Sequence, residues 1–442
     1  MFTALRLRNF KNFADETLRM GPFTVLVGAN ASGKSNVRDA LRCLHGIGRG
    51  YWLADIIGGR YGAGGQEEWV PIRGAANEIV RFAEHSFRLT VNMEHKWLEE
   101  SGRQYFRPWE YDIEVSRESN GAGPFRVNNE SLRYMGETTF TSHLDQADVV
   151  GEEGNRAYMP IRVAVEGEQA KRGLRLNVNR DRPALSFVRE CADVARHDKG
   201  QAELMQGMLA NMRFLDLSPT RMRQSAFPGQ TVLGDRGDNL PTVLQDLCAD
   251  DERRRILVEW ARELTPMDVE DFEFPVDPTT GRVQLALREA GGRTISSYAA
   301  SDGTLRFLGM LAALLTADES ALAALVHPDR AGLYVFEEIE SGIHPSRLRL
   351  LVDLIESQTA KGHMQVLATT HSPALLSMVS DETFRNTSVV CRRPDTNDAV
   401  IRPLAELPDA ERLRESQGLG RLHASGWMED AVFLAGDGTD GS

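Results

Sequence analysis

The 442-residue sequence has only four cysteines, Cys43, Cys191, Cys248 and Cys391, spaced far apart with no CxxC pair and no Cys/His cluster. That scarcity excludes a disulfide framework and a finger-type zinc site and leaves ordinary reduced thiols. Long apolar runs are missing too. No stretch approaches the 18 or more uninterrupted apolar residues of a membrane span, and the start, MFTALRLRNFKNF, lacks the apolar segment of a signal peptide. A cytoplasmic protein without membrane contact is expected. There is no internal repeat and no sustained heptad pattern, so long coiled-coil arms are excluded. Basic charge is in deficit: 51 Lys and Arg against 64 Asp and Glu give a net charge of -13. Such a total argues against a protein that coats nucleic acid indiscriminately, while leaving room for a local basic groove and hence for DNA as a partner. The 41% hydrophobic content is ordinary and sufficient for a buried core.

The periodicities divide the chain. Residues 1–50 read as strand, strand, glycine loop and helix: LRLRNF alternates, Phe23 to Val27 is a short buried-type strand, and Val37, Ala40, Leu41 and Leu44 recur at helical spacing. Residues 51–195 turn to strand-like runs, such as SFRLTV and YDIEV, separated by Gly and Asn turns; they predict an antiparallel β arm. Residues 196–265 carry helical spacing (Val243, Leu244, Leu247; Ile256, Leu257, Trp260, Leu264) and predict a helical lid. From 266 to 425 helices alternate with apolar strands, Leu333 to Phe336 and Gln365 to Ala368, as in a parallel α/β sheet. A C-terminal tail, 426–442, closes the sequence, and its end, GDGTDGS, is a polar Gly/Asp stretch that predicts disorder. The expected fold is thus α/β, with a core split by a β arm and a helical lid.

Gly28-Ala29-Asn30-Ala31-Ser32-Gly33-Lys34-Ser35 satisfies G-x-x-x-x-G-K-[ST] at every fixed position, directly after a strand and before a helix. This pattern is a phosphate-binding loop. Gly28 and Gly33 let the backbone wrap an anion, the loop and first-turn amides, from Asn30 and Ser32 to Asn36, face it, Lys34 meets the β- and γ-phosphates, and the Ser35 hydroxyl ligates Mg²⁺. ATP and Mg²⁺ are therefore the expected cofactors. The strand Leu333 to Phe336 delivers Glu337 and Glu338 to its C-terminal end, where ligands of parallel sheets sit. In a chain with a phosphate loop this is the Walker B form: the first acid holds the Mg²⁺ shell, the second orients and deprotonates the attacking water. Glu337 stands where Asp is usual, one methylene longer. Two further patterns are weaker alone. Ser301-Asp302-Gly303-Thr304 opens a helix as a turn and N-cap, and His371 follows the strand Gln365 to Ala368 within TTHSP.

With these elements in order, the chain resembles the SMC/RecF/OLD branch of ABC-type ATPases, AAA-like ATP-binding proteins of bacterial DNA-repair and antiphage modules. The residues that carry the resemblance are Asn9 to Phe13, GANASGKSN (28–36), SDGTLRFL (301–308), FEEIESGIHP (336–345) and TTHSP (369–373), and they mark the two ends of the core, about a third of the chain. The resemblance implies ATP hydrolysis, with His371 as the switch histidine on the γ-phosphate. It implies a homodimer, open to further assembly, in which Ser301 and the Gly303 amide complete the site of the partner copy. Lys11 is placed near a phosphate by the resemblance and on a surface hairpin by the bare sequence. Ser341 to Pro345 looks like the D-loop, which brings His344 toward the dimer seam, and Gln146 is a candidate Q-loop residue, against a plain surface glutamine. Relatives with their own nuclease carry a C-terminal TOPRIM domain of roughly a hundred residues. About 70 residues follow His371 here, so a separate effector nuclease is expected. Other readings are a transporter ATPase subunit and a scaffold that binds ATP without turnover; the long insertion and the Asn-Phe-Lys-Asn-Phe start stand against the first. Arg221 and Arg223 read as exposed loop arginines or as part of a DNA-facing patch.

Overall fold

The computed structural model describes residues 1–65, 67–98, 104–117, 123–143, 157–164, 173–194, 196–264, 268–316 and 332–436. The chain forms two compact units.

The first unit comprises Met1–Gly21, Gly28–Met212 and Ser388–Pro403. Its sheet is built from β1 (Phe2–Phe10), β2 (Phe13–Arg19), β6 (Ser86–Leu98), β7 (Gln104–Arg117), β8 (Phe125–Tyr134), β9 (Glu137–Thr141), β10 (Tyr158–Val163), β11 (Leu174–Asn179), β18 (Thr387–Arg392) and β19 (Ala399–Pro403), in the order β11-β10-β9-β8-β7-β6-β1-β2-β19-β18. A small hairpin, β4 (Arg60–Tyr61) and β5 (Glu67–Trp69), stands apart. Alternation decides the faces. Phe87, Leu89, Val91 and Met93 of β6 lie opposite Val115, Ile113, Tyr111 and Trp109 of β7 and are buried, as the two-residue side-chain period requires. The other face is a ladder of paired charges: Arg88 with Glu114 at 3.0 Å, Arg6 with Asp15 at 2.7 Å. The expected β arm is therefore antiparallel, and it continues the sheet begun at the N-terminus, because β6 pairs with β1 from Phe2↔Met93 to Arg8↔Arg88.

Helices α1 (Lys34–Gly48), α2 (Leu53–Gly58), α3 (Ala184–Glu190) and α4 (Arg196–Ala210) belong to this unit. The predicted stripe Val37, Ala40, Leu41 and Leu44 of α1 is wholly buried. At its end, a Cβ on Gly48 would lie 2.4 Å from the Ala210 nitrogen, so only glycine lets α4 approach this closely. Residues 196–210 thus pack on α1, and the stretch expected as one helical lid is divided between the two units. Glu130 of β8 is fully buried; it accepts from Tyr111 Oη at 2.9 Å and from the Ala184 and Leu185 amides at 2.5 and 2.8 Å, tying the sheet to the start of α3.

The second unit comprises Pro22–Val27, Arg213–Thr387 and Leu404–Ser442. Its centre is β3 (Phe23–Val27), β17 (Gln365–Thr370), β16 (Leu333–Phe336) and β12 (Met212–Leu215), adjacent in that order, with β3, β17 and β16 parallel. Every residue of β3, β16 and β17 is buried, the reason these strands read as continuous apolar runs. β12 was not anticipated; four residues between a helix and a loop carry no period. A three-stranded antiparallel sheet follows, β13 (Val269–Glu273), β14 (Ala286–Glu289) and β15 (Thr294–Ser296). The helices are α5 (Pro219–Met222), α6 (Leu240–Leu247), α7 (Asp251–Leu264), α8 (Asp302–Leu315), α9 (Leu348–Ala360), α10 (Pro373–Leu376), α11 (Asp381–Arg385), α12 (Ala410–Gln417), α13 (Leu419–Ala424) and α14 (Trp427–Gly436). α8 is the central one, buried along Leu305, Phe307, Leu308 and Leu311 and packed by α5, α6 and α7. Among the described residues no helix is long and apolar enough to cross a membrane, and the four cysteines are free.

Candidate functional site

In the first unit the glycine loop leaves Gly28 and enters α1 at Lys34. A Cβ on Gly28 would fall 2.0 Å from the Val390 carbonyl oxygen, and one on Gly33, at φ 122°, would fall 2.9 Å from Ala399 Cβ. Both positions require glycine. Ala31 holds a φ of 63°, a left-handed strain kept by the loop around it. The N-cap of α1 is Gly33, which offers its first-turn amides no side chain, the arrangement that leaves a helix start to an anion. Lys34 folds back so that Nζ donates to the Gly28 and Ala29 carbonyls at 2.6 and 2.8 Å. Ser32 Oγ is buried with no hydrogen-bond partner among the described residues. An orphaned hydroxyl inside a glycine cradle fits a phosphate group that supplies the missing partner. Asn30 is exposed at the loop tip.

The turn between β1 and β2 closes on the start of α1. Asn36 Nδ2 donates to Asn12 Oδ1 at 2.6 Å. Lys11, with φ 53°, directs Nζ to the Asp39 carboxylate and, at 2.7 Å, to the Arg73 carbonyl. Burial lowers the pKa of this ammonium, and Asp39 offsets part of that shift. The charge of Lys11 is thus compensated by Asp39 where the resemblance implied a phosphate. Arg73 joins the same group: Nε donates to Asp39 Oδ1 at 3.1 Å and Nη2 to the carbonyl of Ser35. Neither Asp39 nor Arg73 was picked out from the sequence, since neither sits in a motif.

In the second unit β16 delivers Glu337 and Glu338 to its C-terminal end. Glu338 is exposed with a φ of 47°, and its amide donates to Thr369 Oγ1 at 3.0 Å. The next amide, Ile339, donates to the Thr369 carbonyl at 3.3 Å. Glu337 and Glu338 line a cleft with Asp216, Arg306, Met310 and Ser341. His371, one residue past β17, presents a half-exposed imidazole. Its backbone N–H donates to Glu340 Oε1 at 3.0 Å, and its carbonyl lies 3.2 Å from His423 Nε2. Glu337, Glu338 and His371 are thus gathered at the ends of adjacent parallel strands.

Ser301 is the N-cap of α8: its hydroxyl accepts from the Thr304 amide at 3.1 Å, satisfying an amide the helix start leaves open. Gly303 packs on the turn after Glu338, so tightly that a Cβ would lie 1.9 Å from the Gly342 carbonyl oxygen. Arg223 donates through Nη2 to Asp302 Oδ1 at 2.7 Å and to the Ala300 carbonyl at 2.9 Å, and Arg221 pairs with Asp238 at 2.8 Å. Arg223 therefore serves the start of α8. His344 Nδ1 lies 2.7 Å from Ser346 Oγ and caps the turn at Pro345. Gln146 lies outside the described residues.

Residues 23–134 and 240–377 match the family model described as "AAA domain, putative AbiEii toxin, Type IV TA system". The chromosome partition protein Smc of Mycolicibacterium paratuberculosis (strain ATCC BAA-968 / K-10) is 28% identical over 262 residues, 56% of this chain and 19% of that protein. Smc of Mycobacterium tuberculosis (strain ATCC 25618 / H37Rv) shows the same identity and coverage. The match spans about a fifth of the length of these relatives. Among solved structures, the SMC head domain from Thermotoga maritima has a TM-score of 0.39 at 14% identity, covering 91% of this chain and 98% of that one. The SmcHead bound to the C-winged helix domain of ScpA has a TM-score of 0.43 at 15% identity, covering 92% and 99%.

Proposed function

The chain belongs to this AAA-domain family and is an ATPase of the SMC/RecF-like ABC type, and from that premise we propose an ATP-driven switch that closes as a homodimer around ATP and reopens on hydrolysis. In this reading Gly28, Asn30, Ser32, Gly33, Lys34 and Asn36 receive the phosphates, and Ser35 and Glu337 hold Mg²⁺. Mg²⁺ takes one or two protein ligands and completes its shell with phosphate oxygens and water, so two residues suffice. When bound, the ion neutralises charge on the phosphates. Glu338 takes the proton of the water whose oxygen attacks the γ-phosphorus as the bond to the β–γ bridging oxygen breaks. His371 hydrogen-bonds the γ-phosphate.

The observation that carries the dimer is the start of α8. Ser301 and Asp302 are exposed, the helix is capped, and its first turn rests on the loop that bears Glu338. The cap takes the Thr304 amide, and the surface tip that keeps the Gly303 amide suits the γ-phosphate of a second copy, met by Ser301 and that amide. By the resemblance its motifs carry, the switch would act in the cytoplasm on DNA, in repair or antiphage defence, and pass its state to a separate effector nuclease. Two γ-phosphates have ample energy to move such an equilibrium, since about 5.5 kcal/mol of differential affinity takes it from 1:99 to 99:1.

Glu338→Gln tests the scheme. It should bind ATP, release phosphate poorly and run as a dimer in size exclusion with light scattering under excess ATP·Mg²⁺. A monomer under those conditions refutes the sandwich.

A further inference from the structure

The backbone of His371 is held from both sides. Its N–H donates to Glu340 Oε1 at 3.0 Å, and the same oxygen lies 3.6 Å from the His371 Nδ1. Its carbonyl can only accept, so His423 Nε2, 3.2 Å away, carries the proton in that contact. Glu340 is nearly buried, with 11% of its side chain exposed, whereas 51% of the His371 side chain is exposed. The side chain that meets solvent therefore stands on a backbone held at both its N–H and its carbonyl.

The two clamps come from different places. Glu340 lies in the turn that also carries Glu338, and that turn is already fastened to the end of β17 through Thr369. His423 lies in α13, which packs on α10 so closely that a Cβ on Gly420 would fall 2.5 Å from the Pro373 carbonyl oxygen. Position at this level matters to catalysis, because misplacement of a reacting partner by about 1 Å can cost on the order of a hundredfold in rate.

We infer that Glu340 and His423 are positioning residues for His371, and that through His423 the helix α13 sets the aim of this histidine. The inference rests on His371 acting at the γ-phosphate. Neither residue touches nucleotide in this scheme; His423 acts through the His371 carbonyl, and Glu340 through the His371 N–H with the imidazole Nδ1 beside it. Glu340 also locks the acid-bearing turn to the histidine-bearing loop, so that Glu338 and His371 keep one relative placement. A ligand or partner that displaces α13 loosens the histidine without entering the catalytic cleft.

The experiment compares four variants of the full chain. Glu340→Ala and His423→Ala remove the clamps. Glu340→Gln keeps an acceptor for the His371 N–H, and His423→Gln keeps a donor for its carbonyl. The readouts are kcat and KM for phosphate release, affinity for a fluorescent ATP analogue, and melting temperature. Loss of either clamp should lower kcat by about tenfold, the effect of about 1.4 kcal/mol in the barrier. Nucleotide affinity should stay within about twofold, and each glutamine variant should recover most of the rate, as hydrogen bonding through the backbone requires. Equal turnover in each alanine and glutamine pair overturns the inference. The two pairs are independent, so if one alanine variant fails to fold the other decides. His371→Ala separates this idea from its premise: wild-type turnover there removes the role of His371 itself, whereas lost turnover with unaffected clamp variants removes only the clamps.

Discussion

Replacing Gly303 by alanine puts a methyl group where the structure has no room. The Cβ would stand 1.9 Å from the Gly342 carbonyl oxygen, and ordinary van der Waals contact begins at 3.4 Å. The first turn of α8 and the 338–343 turn must therefore separate by about 1.5 Å, a displacement of the kind that overpacked sites make at a cost of about 1–3 kcal/mol. Gly342 cannot readily yield, because it sits at φ 80° inside a turn closed by Ser341 N to Glu338 O at 2.8 Å and Ile343 N to Glu340 O at 3.0 Å. Two measurements follow. Chemical unfolding should show a loss within that range. Phosphate release should fall by about a hundredfold, because the Ser301 tip and the Glu338 turn move apart by more than the roughly 1 Å that catalysis tolerates. Gly207→Ala is the control: Gly207 is in the interior of α4 with nothing within 4 Å of an added Cβ, so alanine should stabilise by about 0.5–1 kcal/mol. If Gly303→Ala unfolds within about 0.5 kcal/mol of wild type, a change typical of neutral surface substitutions, and turns over normally, the packing argument is wrong.

Lys34→Ala should abolish measurable binding of a fluorescent ATP analogue while the fold survives; undiminished affinity would remove the phosphate role of the glycine loop. Glu130 supplies a pH test. Burial raises its carboxyl from 4.5 to about 7, although the two α3 amides and Tyr111 hydrogen-bond it and pull the other way. Between those values the folded state binds more protons than the unfolded chain, so this group's contribution is full below about 4.5, falls as the pH rises, and is gone above about 7. It amounts to a loss on the order of 3 kcal/mol. Urea unfolding from pH 4.5 to 8 should show that slope in wild type and a flatter one in Glu130→Gln; identical slopes would rule out Glu130 as its source.

The parts of the fold that the sequence makes legible are those settled by neighbours along the chain. β3, β16 and β17 are buried on every residue and so appear as unbroken apolar runs, and the Gly28 to Ser35 loop announces itself by spacing alone. What escaped is pairwise. β12 is four residues with no period, placed by its neighbour β16. α4 has the spacing of any amphipathic helix, and only the bare backbone of Gly48 tells it to pack on α1. The supporting side chains of the candidate site share that character: Arg73 reaches Asp39 across 34 positions, Glu340 reaches His371 across 31, and His423 reaches the same residue across 52. No local pattern encodes such contacts, whereas the loop and strand-end motifs are local by construction.

The chain order of the second unit has a consequence for biosynthesis. β3, which ends at Val27, leaves the ribosome long before the strand it hydrogen-bonds, β17, which begins at Gln365. At ~5–20 residues per second, translation of the intervening stretch takes on the order of 20–70 s. Throughout that interval five residues destined for complete burial have no sheet to join. Shelter for that segment in the nascent polypeptide should therefore raise the yield of native protein, an outcome that expression with and without added chaperone would check.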